Sequence, residues 1–193
     1  MLKIAIVVGS VRPGRAGMAV ANWVYEVATR HGGATYEIID LRDVDLPPMD
    51  EEVPPMLGQY ARPHTQRWAD RIRPFDGYVF VTPEYNHGMP AALKNAIDFL
   101  YAEWNNKAAG FVSYGSEGGV RAVEQLRQVV AQVRIADVGA SVPLSLATDF
   151  VDFTQFRPQE SREQLAHAML GELVEWSGAL RAVRAGAHAG QAA

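Results

Sequence analysis

The chain has 193 residues and a mass of 21.1 kDa, which suffices for one domain with its own hydrophobic core. Its formal net charge is −4, so it lacks the excess of positive charge that attracts nucleic acid or an anionic membrane surface. Cysteine is absent, which excludes disulfides, thiolate nucleophiles, cysteine-based zinc sites and iron–sulfur clusters. Any redox chemistry would therefore require a bound cofactor.

The N-terminal segment indicates where the protein acts. Only Lys3 precedes a short apolar run that ends at Gly9. That run is too brief for the core of a signal peptide or for a membrane-spanning helix. We therefore expect a cytoplasmic protein without membrane insertion.

Two kinds of apolar segment alternate along the chain. Nearly continuous aliphatic runs predict strands that are covered on both faces, and apolar residues at three- and four-residue spacing predict helices between them. The alternation predicts an α/β three-layer sandwich of the flavodoxin-like type, whose five-stranded parallel sheet has the order 2-1-3-4-5 and carries helices on both faces. The predicted strands are residues 3–8, 36–40, 77–82, 109–114 and 137–142, and the predicted helices include residues 16–27, 93–100, 123–133 and 165–183.

A Rossmann dinucleotide-binding fold is the alternative interpretation. Its turn requires the pattern Gly-x-Gly-x-x-Gly, and the spacing of Gly9, Gly14 and Gly17 does not fit. Asp40 at the end of the second strand is by itself weak support. The sequence thus favours the flavodoxin-like order.

Two segments stand apart from the alternation. Residues 41–63 are rich in proline and acidic residues and predict a long loop, which would serve as a binding loop, a lid or an interface. The last residues are small and featureless, so we expect a single domain over residues 1–185 and a frayed tail over residues 186–193.

Three glycine-containing loops are predicted at the carboxyl edge of the sheet, where ligands bind in such folds. Residues 9–17 read GSVRPGRAG and lead into a helix, a pattern typical of a phosphate site, although a glycine-rich turn with solvated arginines is the alternative. Residues 83–90 read PEYNHGMP and offer hydrogen-bonding groups for a planar heterocycle, or form a turn with a structural tyrosine. Residues 113–119 read SYGSEGG and allow close approach of backbone to a ligand, or form a flexible connection.

These motifs give the chain a resemblance to the NAD(P)H-dependent FMN reductase family of flavodoxin-like proteins, which includes quinone, azo-dye and chromate reductases. The most specific match is PEYNHGMPAALKNAIDFL, and GSVRPGR and SYGSEGG occur in the right order and spacing. The resemblance implies noncovalently bound FMN, with NADPH or NADH as electron donor. Hydride would pass from the nicotinamide to flavin N5, and two electrons would then pass to a quinone-like or other small acceptor.

The resemblance also implies a set of FMN-binding residues and no metal. Many relatives carry a serine at or near Arg15, so phosphate contact by Ser10 and Arg12 is the firmer expectation. His87 is a candidate proton donor or nicotinamide contact, since a histidine titrates near neutral pH. The implied cofactor-binding residues are Ser10, Arg12, Gly14, Arg15, Gly17, Pro83, Glu84, Tyr85, Asn86, His87, Gly88, Ser113, Tyr114, Gly115, Gly118 and Gly119.

Three alternative functions remain open at this point. One is a flavin reductase that releases reduced FMN to a partner monooxygenase, another is a flavodoxin-like electron carrier, and the third is a scaffold that has lost its flavin. The resemblance further implies a homodimer or homotetramer. We expect its interface to involve the third and fourth helices and residues 41–63, with Trp104 as a candidate contact.

Overall fold

The computed structural model describes residues 1–189 and contains a five-stranded sheet of order β2-β1-β3-β4-β5. All four strand pairings are parallel. The predicted fold class and strand order are therefore confirmed. The strands are β1 (Leu2–Val8), β2 (Ala34–Asp40), β3 (Gly77–Pro83), β4 (Lys107–Gly115) and β5 (Ile135–Ser145).

Six α-helices of the described residues accompany the sheet and cover both of its faces. One hydrophobic cluster joins one face to α3, α4 and α5, and a second joins the other face to α1 and α6. Because both faces are covered, β3 and β4 are buried along their whole length, which accounts for their continuous apolar runs. The helices are α1 (Gly17–His31), α2 (Leu41–Val44), α3 (Pro63–Ile72), α4 (Ala91–Asp98), α5 (Val120–Gln132) and α6 (Ser161–Ala189).

The segment between β2 and α3 is more ordered than expected. It contains α2 and a short 3-10 helix at Pro55–Leu57, so the prediction of a loop throughout residues 41–63 was wrong. The carboxylate of Asp40 caps α2 by accepting a hydrogen bond of 3.0 Å from the backbone N–H of Arg42. A helix of one turn is too short to show a periodic apolar pattern.

Two features near the C-terminal end were not predicted. A small antiparallel hairpin of β6 (Phe150–Val151) and β7 (Gln155–Phe156) follows β5. Helix α6 continues to Ala189, so part of the expected tail is helical, and residues 190–193 lie outside the described residues. Within residues 1–189, no helix has the length and apolar character needed to cross a membrane.

The expectation that Trp104 contacts a partner subunit was wrong. Its side chain is only 1% exposed and donates a hydrogen bond of 3.0 Å to the carbonyl of Ile97. The ring packs edge-on against Trp68, which is equally buried. Trp104 therefore belongs to the hydrophobic core.

Candidate functional site

The three glycine-containing loops meet around one cavity of about 280 Å³ at the carboxyl edge of the sheet, which we call the carboxyl-edge cleft. They follow β1, β3 and β4, which are neighbours in the sheet, so the sheet order itself brings them together. A fourth wall comes from the segment after β5. The cleft is lined by Arg12, Gly14, Ala16, Pro83, Glu84, Tyr85, Tyr114, Gly115, Leu146, Phe153 and Thr154.

The first loop begins with a close backbone approach. The N–H of Gly9 donates to the carbonyl of Val81 at 2.9 Å, and an added β-carbon at Gly9 would lie 2.9 Å from the Leu93 side chain. Ser10 follows and is fully buried, with its hydroxyl 2.7 Å from the hydroxyl of Tyr85. Ser10 thus lies beneath the cleft and connects the first loop to the second.

The two arginines of the first loop point to different surroundings. The guanidinium of Arg12 lines the carboxyl-edge cleft and lies 6.0 Å from the centre of the Tyr85 ring. Arg15 instead forms an ion pair with Asp40, and both side chains are nearly buried, at 7% and 11% exposure. Asp40 at the end of β2 is therefore the partner of Arg15. Arg12 is the arginine available to a ligand.

The second loop closes in a tight turn beside the cleft. Tyr85 and Gly88 exchange two backbone hydrogen bonds of 2.9 and 3.1 Å. Asn86 and His87 form the corner, with φ of 49° and 70°, and both side chains are exposed. The structure therefore places Tyr85 on the cleft wall, whereas Asn86, His87 and Gly88 do not line the cavity.

Glu84 joins the second loop to the third. Its carboxylate accepts hydrogen bonds from the backbone N–H of Arg121 at 3.1 Å and from Arg121 Nε at 2.5 Å. Burial opposes ionisation of Glu84, but the bonds from Arg121 outweigh burial and lower its pKa. Because the carboxylate is engaged at the start of α5, Glu84 shapes the cleft rather than offering a free charge.

The third loop folds back on the end of β4. Ser113 Oγ donates to the carbonyl of Gly118 at 2.7 Å. Gly119 has φ of 73°, and an added β-carbon there would lie 2.9 Å from the backbone nitrogen of Tyr114. Ser113, Gly118 and Gly119 therefore support the loop, while Gly115 lines the cleft itself.

The end of the carboxyl-edge cleft next to α1 fits a phosphate group. No side chain within residues 1–189 caps the N-terminus of α1, where unpaired N–H groups favour an anion. Tyr114 Oη is buried without a hydrogen-bond partner among the described residues, and an added β-carbon at Gly17 would lie 3.1 Å from it. Burial and the neighbouring Tyr85 raise the pKa of Tyr114 and keep it a donor. This end of the cleft therefore offers three kinds of donor to one anion: the backbone N–H groups of α1, the hydroxyl of Tyr114 and the guanidinium of Arg12.

The walls of the cleft fit a planar ring system. Pro83 and Tyr85 form one part of the lining, and Leu146 and Phe153 form another. Such mainly apolar walls with a few polar groups are typical of sites for organic cofactors. The residues present therefore fit the two halves of FMN, its phosphate and its isoalloxazine.

Four cleft residues were missed in the sequence. Ala16 is a small residue within the first loop and offered no chemical signal. The other three follow β5, where no motif marks the chain, and their position could only have been suggested by the rule that loops after adjacent parallel strands share one edge. They are Leu146, Phe153 and Thr154.

Comparisons with known proteins give a consistent result. The model of a family described as NADPH-dependent FMN reductase matches residues 2–149. An NAD(P)H-dependent FMN reductase from Schizosaccharomyces pombe is 42% identical over 149 residues, covering 76% of this chain and 74% of that protein. A quinone reductase from Escherichia coli is 35% identical over 136 residues, covering 67% of this chain and 69% of that protein.

A solved structure agrees in fold. The flavoenzyme NAD(P)H:(acceptor) oxidoreductase from Paracoccus denitrificans superimposes with a TM-score of 0.69 at 23% sequence identity. The match covers 92% of this chain and 98% of that one. At this level of identity the likeness concerns the fold alone.

Proposed function

The chain belongs to the NADPH-dependent FMN reductase family and is an NAD(P)H-dependent FMN oxidoreductase, and from this premise we propose that the carboxyl-edge cleft is its FMN site and that a small quinone-like molecule is the acceptor. Bound FMN would supply the redox chemistry, taking a hydride from the nicotinamide and giving two electrons to the acceptor. The observation that carries the proposal is the uncapped N-terminus of α1 beside Arg12 and the unpartnered hydroxyl of Tyr114.

We propose that the first loop and Tyr114 hold the phosphate. Arg12 contributes a charged donor, and a charged hydrogen bond is stronger than a neutral one. Ser10 holds Tyr85 in place and orients the second loop. Arg15 contributes indirectly, because its ion pair with Asp40 fixes the direction of the loop.

The second and third loops would hold the ring. Pro83 and Tyr85 offer an apolar face, and the backbone at Gly115 can approach closely because no side chain stands there. Preorganised backbone N–H groups stabilise negative charge that develops on a bound ring. His87 is exposed beside this wall, so we keep it as a candidate contact for the nicotinamide or acceptor.

A cytoplasmic homodimer or homotetramer completes the proposal. Met56 and Leu57, in the segment between β2 and α3, are 63% and 61% exposed, which supports this segment as part of an interface. Light scattering at micromolar concentration would test the assembly. A mass of twice 21.1 kDa or more is expected, and a mass of 21.1 kDa would contradict it.

The first test of the site is an absorbance scan of freshly purified protein between about 300 and 550 nm, before and after anaerobic addition of NADPH or NADH. Flavin bands that bleach with either nucleotide are expected. A colourless protein that binds added FMN and releases it on reduction would favour the alternative of a flavin-exporting reductase. A protein that binds no added FMN, even at high concentration, would contradict the proposed site.

A further inference from the structure

One wall of the carboxyl-edge cleft comes from the hairpin β6–β7, outside the residues 2–149 that match the family model. Phe153 lies in the turn of this hairpin and lines the cleft, yet its side chain is 69% exposed. This exposed ring leaves apolar surface in water, and covering it with an apolar ligand would be favourable. The ring of Phe153 is therefore available to contact a molecule bound in the cleft.

The backbone at Phe153 is also unfavourable for its side chain. Asp152 and Phe153 have φ of 50° and 58°, both in the left-handed region. Residues 151–154 form a turn that is closed by a hydrogen bond of 3.1 Å from the backbone N–H of Thr154 to the carbonyl of Val151. Turns with positive φ at both central positions strongly prefer Asn-Gly or Asp-Gly, because glycine has no β-carbon to clash. Local turn chemistry therefore favours glycine at position 153, and a bulky residue there is a genuine outlier.

The base of the hairpin is held firmly. Asp149 is fully buried, and its carboxylate accepts hydrogen bonds from the backbone N–H of Ser145 at 2.9 Å, from that of Gln159 at 3.1 Å, and from Arg162 Nε at 3.0 Å. These bonds join the chain before the hairpin to the chain after it. The turn consequently has a fixed position relative to β5 and α6.

Aromatic packing fixes the hairpin against the cleft itself. The rings of Phe150 and Phe156 lie 5.2 Å apart, and Phe150 packs against Tyr114 at 6.3 Å. Phe156 also meets Trp23 of α1 edge-on at 5.8 Å. Because Tyr114 lines the cleft, the hairpin is attached to the same wall that it extends.

We propose that Phe153 packs directly against the flavin ring and tightens the binding of FMN. This inference rests on the proposed FMN site. Backbone strain that a surrounding scaffold maintains is typical of ligand contacts, and here the scaffold holds an apolar ring at the edge of a cleft suited to a planar ligand. Stacking on FMN would cover the exposed face of Phe153 and offset the unfavourable turn.

The test compares two glycine substitutions in the same turn. Phe153→Gly removes the ring and relieves the backbone, while Asp152→Gly relieves the backbone and keeps the ring. The full chain, freed of flavin by dialysis, is titrated with FMN, and its unfolding in urea is measured without flavin. Phe153→Gly should raise the FMN dissociation constant about tenfold, the scale of one aromatic contact, without lowering the urea midpoint.

Asp152→Gly should leave the FMN dissociation constant within about twofold of the wild-type value. Phe153→Trp should restore tight binding, and the visible absorption band of bound FMN should shift in Phe153→Gly only. Equal FMN affinity in Phe153→Gly and the wild type would overturn the inference, as would unfolding of Phe153→Gly, since the ring would then be structural. Failure of the wild type to bind FMN would instead overturn the proposed function.

Discussion

The hydroxyl groups of Ser10 and Tyr85 lie 2.7 Å apart, so a side chain of the first loop holds a side chain of the second directly beneath the carboxyl-edge cleft. Ser10 is fully buried, and among the described residues its hydroxyl has one other hydrogen bond, a long one of 3.4 Å that it accepts from the backbone N–H of Arg12. This bond therefore helps to fix the Tyr85 ring on the cleft wall, in addition to the backbone hydrogen bonds between Tyr85 and Gly88.

We predict that Tyr85→Phe lowers the free energy of unfolding by about 1 kcal/mol and weakens FMN binding, because Ser10 loses its partner in a buried position. Urea unfolding and FMN titration measure the two effects. Tyr25→Phe is a matched control, since Tyr25 lies on α1 and is 40% exposed. Identical results for Tyr85→Phe and Tyr25→Phe would contradict the role assigned to the bond.

The two arginines of the first loop should respond differently to removal. Arg12→Ala should weaken FMN binding by about 1.5–3 kcal/mol, the range for a hydrogen bond to a charged group, and leave stability unchanged. Arg15→Ala should lower stability by more than about 1 kcal/mol, because it leaves Asp40 nearly buried and unpaired. Thermal unfolding and FMN titration of both variants distinguish these outcomes. A larger loss of FMN affinity in Arg15→Ala than in Arg12→Ala would assign the phosphate to Arg15.

The sheet and its loops could be predicted because their signals are local. A strand covered by helices needs an apolar run, as at β3, and a loop that approaches a ligand or a neighbouring strand needs glycine, as at Gly9. The order of parallel strands then brings separate loops to one edge. These rules together placed at one edge the three loops that contribute seven of the residues lining the cleft, Arg12, Gly14, Pro83, Glu84, Tyr85, Tyr114 and Gly115.

The remaining features depend on contacts between distant parts of the chain. Arg15 turns away from the cleft because it forms an ion pair with Asp40, which lies 25 residues later in the chain. Nothing in the sequence of the loop itself indicates this partner. The hairpin that carries Phe153 has strands of two residues each, which is too short for an alternating pattern. Asp152 fits the preference of such a turn but Phe153 does not, so the rules for turn residues do not predict the hairpin.

Asp149 provides a third prediction, on the stability of the hairpin. Burial opposes its ionisation, but hydrogen bonds from Arg162 and two backbone N–H groups outweigh burial and lower its pKa. Asp149→Ala leaves Arg162 without its carboxylate partner and should lower the free energy of unfolding by about 3 kcal/mol. It should also loosen the wall of the cleft that carries Phe153. Glu37→Gln is the control, since Glu37 forms an exposed ion pair with Arg71. This substitution should lower the free energy of unfolding by less than about 1 kcal/mol.

The pH dependence of this effect has a definite sign. The folded pKa of Asp149 lies below its ordinary value, so its stabilising contribution is complete above about pH 4 and is lost as the pH falls through the folded pKa. Urea unfolding of the wild type and of Asp149→Ala at several pH values measures the difference. The difference should shrink in acid, and a constant difference from pH 6 to about pH 3 would show that the charge of Asp149 is unimportant.

Lys107 is a buried titratable group at the opposite edge of the sheet. Its ammonium group is buried at 4% exposure and donates hydrogen bonds to the carbonyls of Ile72 and Arg73 and to the hydroxyl of Tyr78, at 3.1, 3.0 and 2.9 Å. Burial lowers the pKa of Lys107 to about 7, and repulsion from Arg184 adds to the effect. The carboxylates of Asp76 and Glu103 oppose this shift without cancelling it.

Above pH 7 the folded protein therefore loses a proton that the unfolded chain retains until its ordinary lysine pKa of about 10.4. Because the unfolded state then binds more protons, the contribution of Lys107 to stability rises with pH between these two values. Urea unfolding of the wild type and of Lys107→Met, compared at pH 6.5, 8 and 9.5, isolates this contribution because titration of the other groups cancels in the difference. The wild type should gain stability relative to Lys107→Met at each step, and a difference that stays constant or falls would mean that the three hydrogen bonds keep Lys107 charged throughout.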